Sequence, residues 1–317
     1  MASQSSNGTG LNATCLPFNP GQEFRALQET YGQIDRYLFR LSDKCSRAQT
    51  DKIWVKSPDA RRHGPDSHRD VFTRRNRTNV AQALRRHLHG QPSDRNDDNL
   101  VSWSSSLLSV LHIACWRVRQ EGNDGAAEQT LCVVDTTLLP PRVFMRDLFL
   151  IRAFLNDDTS NISPLAFGLR LSERLASYQT NHYGEYFSQG ALRIEGCCSI
   201  VRIAGILATG FYVLRPELNL PTPKGEGWNN SVIKLREEFY SSSPCPTKKP
   251  ELDVALRIGD MYGSSWKVPI ALAFLALRPR IPWEDVVMEA FRELHGKLQL
   301  LPLQKCLEAH IEQKALR

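Results

Sequence analysis

Three polar residues stand out in this 317-residue chain because each interrupts an otherwise apolar stretch. Arg40 ends YLFR, Ser102 lies within LVSWSSSLL, and Glu185 lies within YGEYF. A guanidinium can hold a phosphate or ribose oxygen with fork geometry, and a serine hydroxyl can hydrogen-bond a sugar or orient a carboxylate. A carboxylate can stabilise the positive charge that develops when a glycosidic bond breaks. Together these residue types suit chemistry at a ribose, although single Arg and Glu side chains are commonly solvated surface groups.

The stretch VSWSSSLLSVLHIA, residues 101–114, joins a strand to a helix. From Leu107 the apolar residues recur with helical spacing, which predicts a helix over 107–120. A serine at a helix start commonly caps it, so residues 104–106 are expected to include the N-cap. Ser102 belongs to the preceding strand and is the proposed ligand-side residue, with Ser104 as the next candidate.

The elements that must position these residues alternate irregularly along the chain. We predict strands over 37–40, 99–103, 130–137, 184–194 (interrupted at Gly190), 198–203 and 211–214. We predict helices over 78–89, 107–120, 165–178, from 282 onward and over 303–314, and residues 148–154 fit either class. This mixture indicates an α+β fold. No Walker A or Rossmann glycine pattern is present, so those nucleotide-binding scaffolds are unsupported.

Composition predicts the organisation of the chain. Residues 1–20 are polar and read as a disordered lead, and residues 21–218 read as the main domain. Residues 219–250 are rich in Pro, Gly and Ser and are predicted to be a linker. Residues 251–317 carry helical apolar spacing and are predicted to form a mostly helical region.

The bulk numbers indicate a globular protein with a mild positive charge. The hydrophobic fraction is 41%, the net charge is +6, and the pI is about 8.9, which favours an anionic ligand without identifying one. Eight cysteines occur without a CxxC pair, so we expect reduced thiols and no structural zinc. The polar start of the chain lacks the basic and apolar regions of a secretory signal, and the longest apolar run is too short to span a bilayer. We therefore expect a cytoplasmic protein without a membrane partner.

Residues 61–95 concentrate arginines and four histidines. Such a stretch can bind nucleic acid through phosphates, but it lacks the aromatic residues that stack on bases, so a solvated basic loop is the more ordinary interpretation. The histidines lack the spacing of a zinc site, and His87 and His89 point to different sides of a helix. We predict no metal site.

The order and context of the three polar residues resemble the Arg–Ser–Glu pattern of the cholera-toxin-like ADP-ribosyltransferases. VSWSSSLLSVLHIA looks like that family's strand–Ser-x-Ser–helix segment, and TLCVVDTTLLPPRVF resembles the strand after the helix. GEYFSQGAL resembles the strand that opens with the catalytic glutamate. The resemblance covers roughly residues 36–215. The chain also resembles a fungal family of unknown function that shares LFR, DNLVSWSSSLL, LCVVDTT and GEYFSQGALRIEG.

The resemblance implies a split mixed β-sheet core with flanking helices, and NAD as a substrate. By this resemblance Glu185 is the catalytic residue, and the NAD-binding residues are Arg40, Ser102, Ser104, Tyr183 and Tyr186, with the two tyrosines offering a surface that stacks on nicotinamide. The implied activity is mono-ADP-ribosyl transfer to an unknown protein or small-molecule acceptor, or hydrolysis of NAD.

Two residues depart from the family pattern. Tyr183 stands two residues before Glu185, where arginine-targeting members carry Glu or Gln. Trp103 stands where a small polar residue is usual. These departures motivate an alternative hypothesis, a non-catalytic interaction protein built on the same fold.

Overall fold

A computed structural model describes residues 15–91, 98–121, 128–159, 171–180, 184–221, 228–282 and 284–295. The fold is α+β, with antiparallel sheets and flanking helices. The strands are β1 Tyr37–Ser42, β2 Gln49–Thr50, β3 Trp54–Lys56, β4 Leu100–Ser104, β5 Thr130–Asp135, β6 Met145–Arg146, β7 Glu185–Gln189, β8 Ala191–Arg193 and β9 Cys198–Arg202. The helices are α1 Arg25–Tyr31, α2 Pro58–Arg61, α3 Arg77–Leu88, α4 Leu107–Glu121, α5 Asp147–Phe154, α6 Leu171–Thr180, α7 Ile203–Ala208, α8 Trp228–Ser241, α9 Lys249–Met261, α10 Ser264–Leu275 and α11 Asp285–His295.

Two sheets form the centre of the molecule. A six-stranded sheet has the order β6-β7-β4-β1-β5-β9, and a three-stranded sheet has the order β2-β3-β8. All neighbouring strands described in both sheets are antiparallel, so the predicted mixed sheet is corrected to an antiparallel one. Gly190 ends β7 with a positive φ of 63°, and the chain turns there from the large sheet into β8 of the small one.

The six-stranded sheet opens between β1 and β4. β1 pairs with β5 over its whole length, from Tyr37 opposite Asp135 to Ser42 opposite Thr130. It pairs with β4 at one position only, Phe39 opposite Ser104. Beyond that pair the two strands diverge, which leaves backbone groups of both strands facing a gap.

Alternation along the strands distributes their side chains to different cores. One apolar cluster fills the space between the two sheets, and it includes Leu38, Trp103 and Val134 from the large sheet and Val55 from the small one. On the other face the large sheet packs against helices. Phe39, Leu111 of α4, Leu252 of α9, Phe274 of α10 and Phe291 of α11 belong to one buried cluster there. The C-terminal helices therefore share a continuous core with the sheet.

Several segments differ from the sequence predictions. The predicted linker over 219–250 contains helix α8, in which Val232 is fully buried. Phe211–Val213 form a 3-10 turn where a strand over 211–214 was predicted, because Gly210, with a φ of 88°, follows α7 and turns the chain. Within the predicted disordered lead, Phe18 is fully buried. Residues 148–154 are helical, and the predicted helix over 303–314 lies outside the described residues.

Candidate functional site

A cavity of about 340 Å³ lies where β1 and β4 diverge. Arg40, Ser102, Ser104 and Glu185 all line it, together with residues of α3, α4 and the chain before β2. A volume of this size falls at the lower end of the range for small-molecule sites. Three of the strands that the sequence singled out, β1, β4 and β7, thus bring their polar residues to one place.

Strand register decides which side chains face this cavity together. Ser104 pairs with Glu185 and Ser102 pairs with Phe187, so the two serines and the glutamate share one face of the sheet. Ser102 is exposed there, whereas its strand neighbours Val101 and Trp103 are buried on the opposite face. The Ser-x-Ser spacing therefore presents both hydroxyls to the same side.

Arg40 reaches the cavity from the opposite face of the sheet. Its Nε donates to Thr50 Oγ1 at 2.8 Å, and its Nη1 donates to the Ser102 carbonyl oxygen at 2.8 Å. The side chain thus bridges the two sheets and satisfies a β4 carbonyl on the side where β1 has diverged. Burial lowers the pKa of Arg40 to about 10, so the guanidinium is still charged at neutral pH.

Glu185 begins β7 at the edge of the cavity. Its Oε2 accepts a hydrogen bond from Arg174 Nη2 of α6 at 2.5 Å, which fixes the carboxylate in one position. Gly184, just before it, has a φ of 65°, and a Cβ built there would lie 2.4 Å from Ser105 Oγ. The Gly184 carbonyl also accepts from the Ser105 N–H at 2.8 Å. Glycine is therefore needed at 184 to hold the start of β7 against the turn after β4.

The serines after β4 serve the turn and the helix. Ser104 Oγ accepts from the Ser106 N–H at 3.0 Å, which shapes the turn. Ser106 Oγ accepts from the Ser109 N–H at 3.3 Å and so caps α4. Ser104 is nearly buried, and Ser102 is the more accessible hydroxyl in the cavity.

Two residues that the sequence interpretation did not include complete a hydrogen-bonded chain at Ser102. Ser102 Oγ lies 2.7 Å from His87 Nε2 of α3, and His87 Nδ1 lies 2.8 Å from Asp98 Oδ1. Both added residues line the cavity. The sequence placed His87 on a helix but gave no sign of the strand against which that helix packs. The sequence offered one indication of this hydrogen-bonded chain, a His and an Asp that both precede a Ser-rich strand.

Asp98 is buried yet ionised. Burial by itself would raise the pKa of Asp98. The charge and hydrogen bond of His87, the hydrogen bond from the Leu100 N–H and the charge of Arg47 together outweigh burial, so the pKa of Asp98 is lowered. An ionised carboxylate only accepts hydrogen bonds, so His87 Nδ1 must carry a proton. When the ring is neutral, its Nε2 is therefore the acceptor for the Ser102 hydroxyl.

The lowered pKa makes a prediction about stability in acid. Ionised Asp98 stabilises the fold above the unfolded-state pKa near 3.8, and this stability is lost as pH falls through the lower folded-state pKa. As pH falls below about 4, urea unfolding of the wild type should show a steeper loss of unfolding free energy than Asp98→Asn. The difference cannot exceed the one-proton slope of about 1.4 kcal/mol per pH unit. Asp285→Asn, at an exposed site, should keep the wild-type slope; equal slopes for wild type and Asp98→Asn would contradict the account.

The aromatic residues named in the sequence analysis do not face the ligand side of the cavity. Tyr186 is 1% exposed, and its hydroxyl donates to Asp35 Oδ2 at 2.9 Å on the opposite face. It has no surface on which nicotinamide can stack, and the predicted stacking role is corrected. Trp103 is 2% exposed and lies between the sheets. Tyr183 lies outside the described residues.

Part of the basic stretch over 61–95 is built into the fold, while Arg61, Arg62, Arg69 and Arg75 are exposed. Arg77 pairs with Asp157 at 2.9 Å, and Arg85, which is almost buried, lies 3.8 Å from Asp158. In the part of the chain that the structure describes, no group of three or more His, Cys, Asp or Glu side chains is arranged to hold a metal ion. None of the described helices is long and apolar enough to cross a bilayer.

Comparison with known proteins gives a family and no function. A family described as "Domain of unknown function (DUF7587)" matches residues 33–195, which hold β1 to β8, the split in the sheet and all the cavity residues discussed above. The chain belongs to this family. No curated protein and no solved structure matches it.

Proposed function

We propose that the cavity at the split binds NAD and cleaves its bond to nicotinamide, as a mono-ADP-ribosyltransferase or an NAD glycohydrolase. One observation carries the proposal: Arg40, Ser102 and Glu185, on the adjacent strands β1, β4 and β7, line a single cavity. These are the residue types that hold a phosphate or ribose oxygen, bind a sugar hydroxyl and stabilise a cationic ribose.

Each group has a role that fits its surroundings. Glu185 is held in place by Arg174 and presents a carboxylate that can accept from a ribose hydroxyl and stabilise the oxocarbenium-like charge. When His87 is neutral, the Ser102 hydroxyl donates a hydrogen bond to it, so the Ser102 oxygen is left to accept from a second sugar hydroxyl. Arg40, with exposed Arg47 at the solvent side, supplies positive charge toward the pyrophosphate.

The proposed reaction begins with heterolysis at the ribose. The bond between the ribose carbon and the nicotinamide nitrogen breaks, and nicotinamide leaves with the electron pair. Water, or the hydroxyl, amine or other nucleophile of an acceptor, then forms a bond to the same carbon and releases one proton. With water the products are ADP-ribose and nicotinamide.

The alternative function is a non-catalytic interaction protein on the same fold. Trp103 was one of its two motives; this residue is among those that line the cavity, but its ring is buried between the two sheets, on the face opposite to the exposed Ser102. The second motive, Tyr183, lies outside the described residues. Binding of nucleic acid by residues 61–95 is less well supported, because several of those arginines pair within the fold. Cytoplasmic location remains a prediction.

The experiment is incubation of the full chain with NAD while free nicotinamide is measured. We expect release that is proportional to protein concentration and well above the rate of a protein-free control. If addition of a cytosolic extract yields a labelled product other than ADP-ribose, the extract contains the protein or small-molecule acceptor; if ADP-ribose is the one labelled product, hydrolysis is the activity. Release at the protein-free rate under both conditions would refute the proposal.

A further inference from the structure

We propose that Ser102, His87 and Asp98 form a nucleophilic triad that hydrolyses small carboxylic esters in the cavity. The three side chains are joined in sequence: Ser102 Oγ to His87 Nε2 at 2.7 Å, and His87 Nδ1 to Asp98 Oδ1 at 2.8 Å. This order of nucleophile, base and orienting carboxylate identifies a triad by geometry rather than by position in the chain. The inference does not depend on cleavage of NAD.

The proton positions suit a general base. Asp98 is ionised in the fold, so it holds the proton on Nδ1 and leaves Nε2 of the neutral ring to accept from Ser102. Asp98 and His87 are shielded, whereas Ser102 is exposed in the cavity. The nucleophile is therefore the member of the triad that a substrate can reach.

The base is held rigidly before any substrate arrives. The His87 ring packs edge-on against Phe187, with ring centroids 5.0 Å apart, and Phe187 is the register partner of Ser102 on β7. Asp98 Oδ1 accepts from the Leu100 N–H at 3.2 Å, and the Asp98 carbonyl accepts from the Asp59 N–H at 3.1 Å. A site whose supporting groups are fixed in this way loses little freedom on reaction.

The lining of the cavity indicates the class of ester. Its charged side chains are three arginines and two carboxylates, namely Arg40, Arg47, Arg117, Asp98 and Glu185. When His87 is neutral, the lining therefore carries an excess of positive charge. Leu41, Val110 and Ile113 add apolar surface. The volume of about 340 Å³ is suited to a small acyl group. A short-chain ester that carries a carboxylate fits these properties best.

The proposed reaction has two balanced steps, with water as the co-reactant. Ser102 Oγ attacks the ester carbonyl carbon while His87 Nε2 takes its proton. The carbon–oxygen bond to the alcohol then breaks, and the alcohol leaves with that proton. In the second step water attacks the acyl-serine carbonyl and passes a proton through His87 to Ser102 Oγ, which releases the carboxylic acid and restores the enzyme.

The test combines covalent labelling with ester hydrolysis by the full chain. A fluorophosphonate should modify the wild type once, with loss of fluoride, and mass spectrometry should place the adduct on Ser102. Hydrolysis of mono-p-nitrophenyl succinate should exceed that of neutral p-nitrophenyl acetate. Ser102→Ala and His87→Gln should each lower kcat by about 10²–10⁴-fold, and the double variant by no more than either alone.

Controls separate catalysis from folding. Ser241→Ala changes an exposed serine of α8 that does not line the cavity, and it should label and turn over like the wild type. Asp98 is a positioning residue, so Asp98→Asn should lower kcat and displace the pH profile of kcat, whereas loss of folded protein would lower the apparent kcat by the same factor at every pH at which the wild type is folded. An unlabelled wild type, or equal labelling of folded Ser102→Ala, would overturn the triad. Nicotinamide release is measured separately, so the failure of either proposal is visible without the other.

Discussion

Replacing Glu185 with glutamine is expected to slow nicotinamide release by about 10²–10³-fold, a loss typical of removing one preorganised electrostatic contact to a transition state. Glutamine keeps the shape of the side chain and still offers an oxygen to Arg174, so the start of β7 should stay in place. It lacks the negative charge that stabilises the ribose cation. The measurement is the initial rate of release at saturating NAD, with KM determined in parallel.

The matched control for this prediction is Glu195→Gln. Glu195 is half-exposed, pairs with Arg193 on the small sheet, and does not line the cavity. Its substitution should leave the rate within about twofold of wild type, as expected for a surface site away from the chemistry. Equal rates for wild type and Glu185→Gln, both above the protein-free rate, would show that Glu185 is not the catalytic residue.

Replacing Trp103 with alanine is expected to lower the free energy of unfolding by about 3–5 kcal/mol, the usual cost of emptying a buried aromatic site. The indole lies between the two sheets, edge-on to Phe144 with ring centroids 5.4 Å apart. Its Nε1–H donates to Ser188 Oγ at 3.0 Å. Alanine would leave a cavity and an unpaired hydroxyl beneath β4. Urea unfolding followed by circular dichroism measures the loss.

Two further variants separate the contributions to this loss. Trp103→Phe keeps most of the packing but not the N–H donor, and it should cost about 1–3 kcal/mol. Tyr240→Ala removes an exposed ring on α8, and its effect should stay within about 0.5 kcal/mol. A loss below 1 kcal/mol for Trp103→Ala, together with a large change in NAD kinetics, would place this residue in the ligand site instead of between the sheets.

Periodicity predicted most of the elements that carry the site. β4 and α4 follow the strand and helix patterns of VSWSSSLLSVLHIA, and β7 breaks at Gly190 as its sequence indicated. The sequence also predicted that strand residue Ser102 is followed by a helix cap within residues 104–106. This is confirmed, because Ser106 caps α4. These features are local, so short-range spacing is sufficient to specify them.

The long-range features of the site could not be predicted from local sequence patterns. The register between β4 and β7 turns Trp103 and Tyr186 together into the space between the sheets, and no local pattern gives that pairing. Because β1 diverges from β4, the Arg40 side chain can reach the Ser102 carbonyl oxygen. This divergence depends on which strand lies next to β1, and local sequence does not show that. His87 looked like one member of a basic cluster because its partners lie 11 and 15 residues further along the chain.

The most direct test of the account is whether NAD binds in the cavity at the split. Calorimetric titration in the Glu185→Gln protein avoids consumption of NAD during the measurement. We expect one saturable site, and at least tenfold weaker binding when Ser102→Trp is added to fill the cavity. Ser241→Trp, the same change at an exposed serine of α8, should bind as tightly as the parent protein. Binding unaffected by Ser102→Trp, or no saturable binding in the parent, would contradict the account.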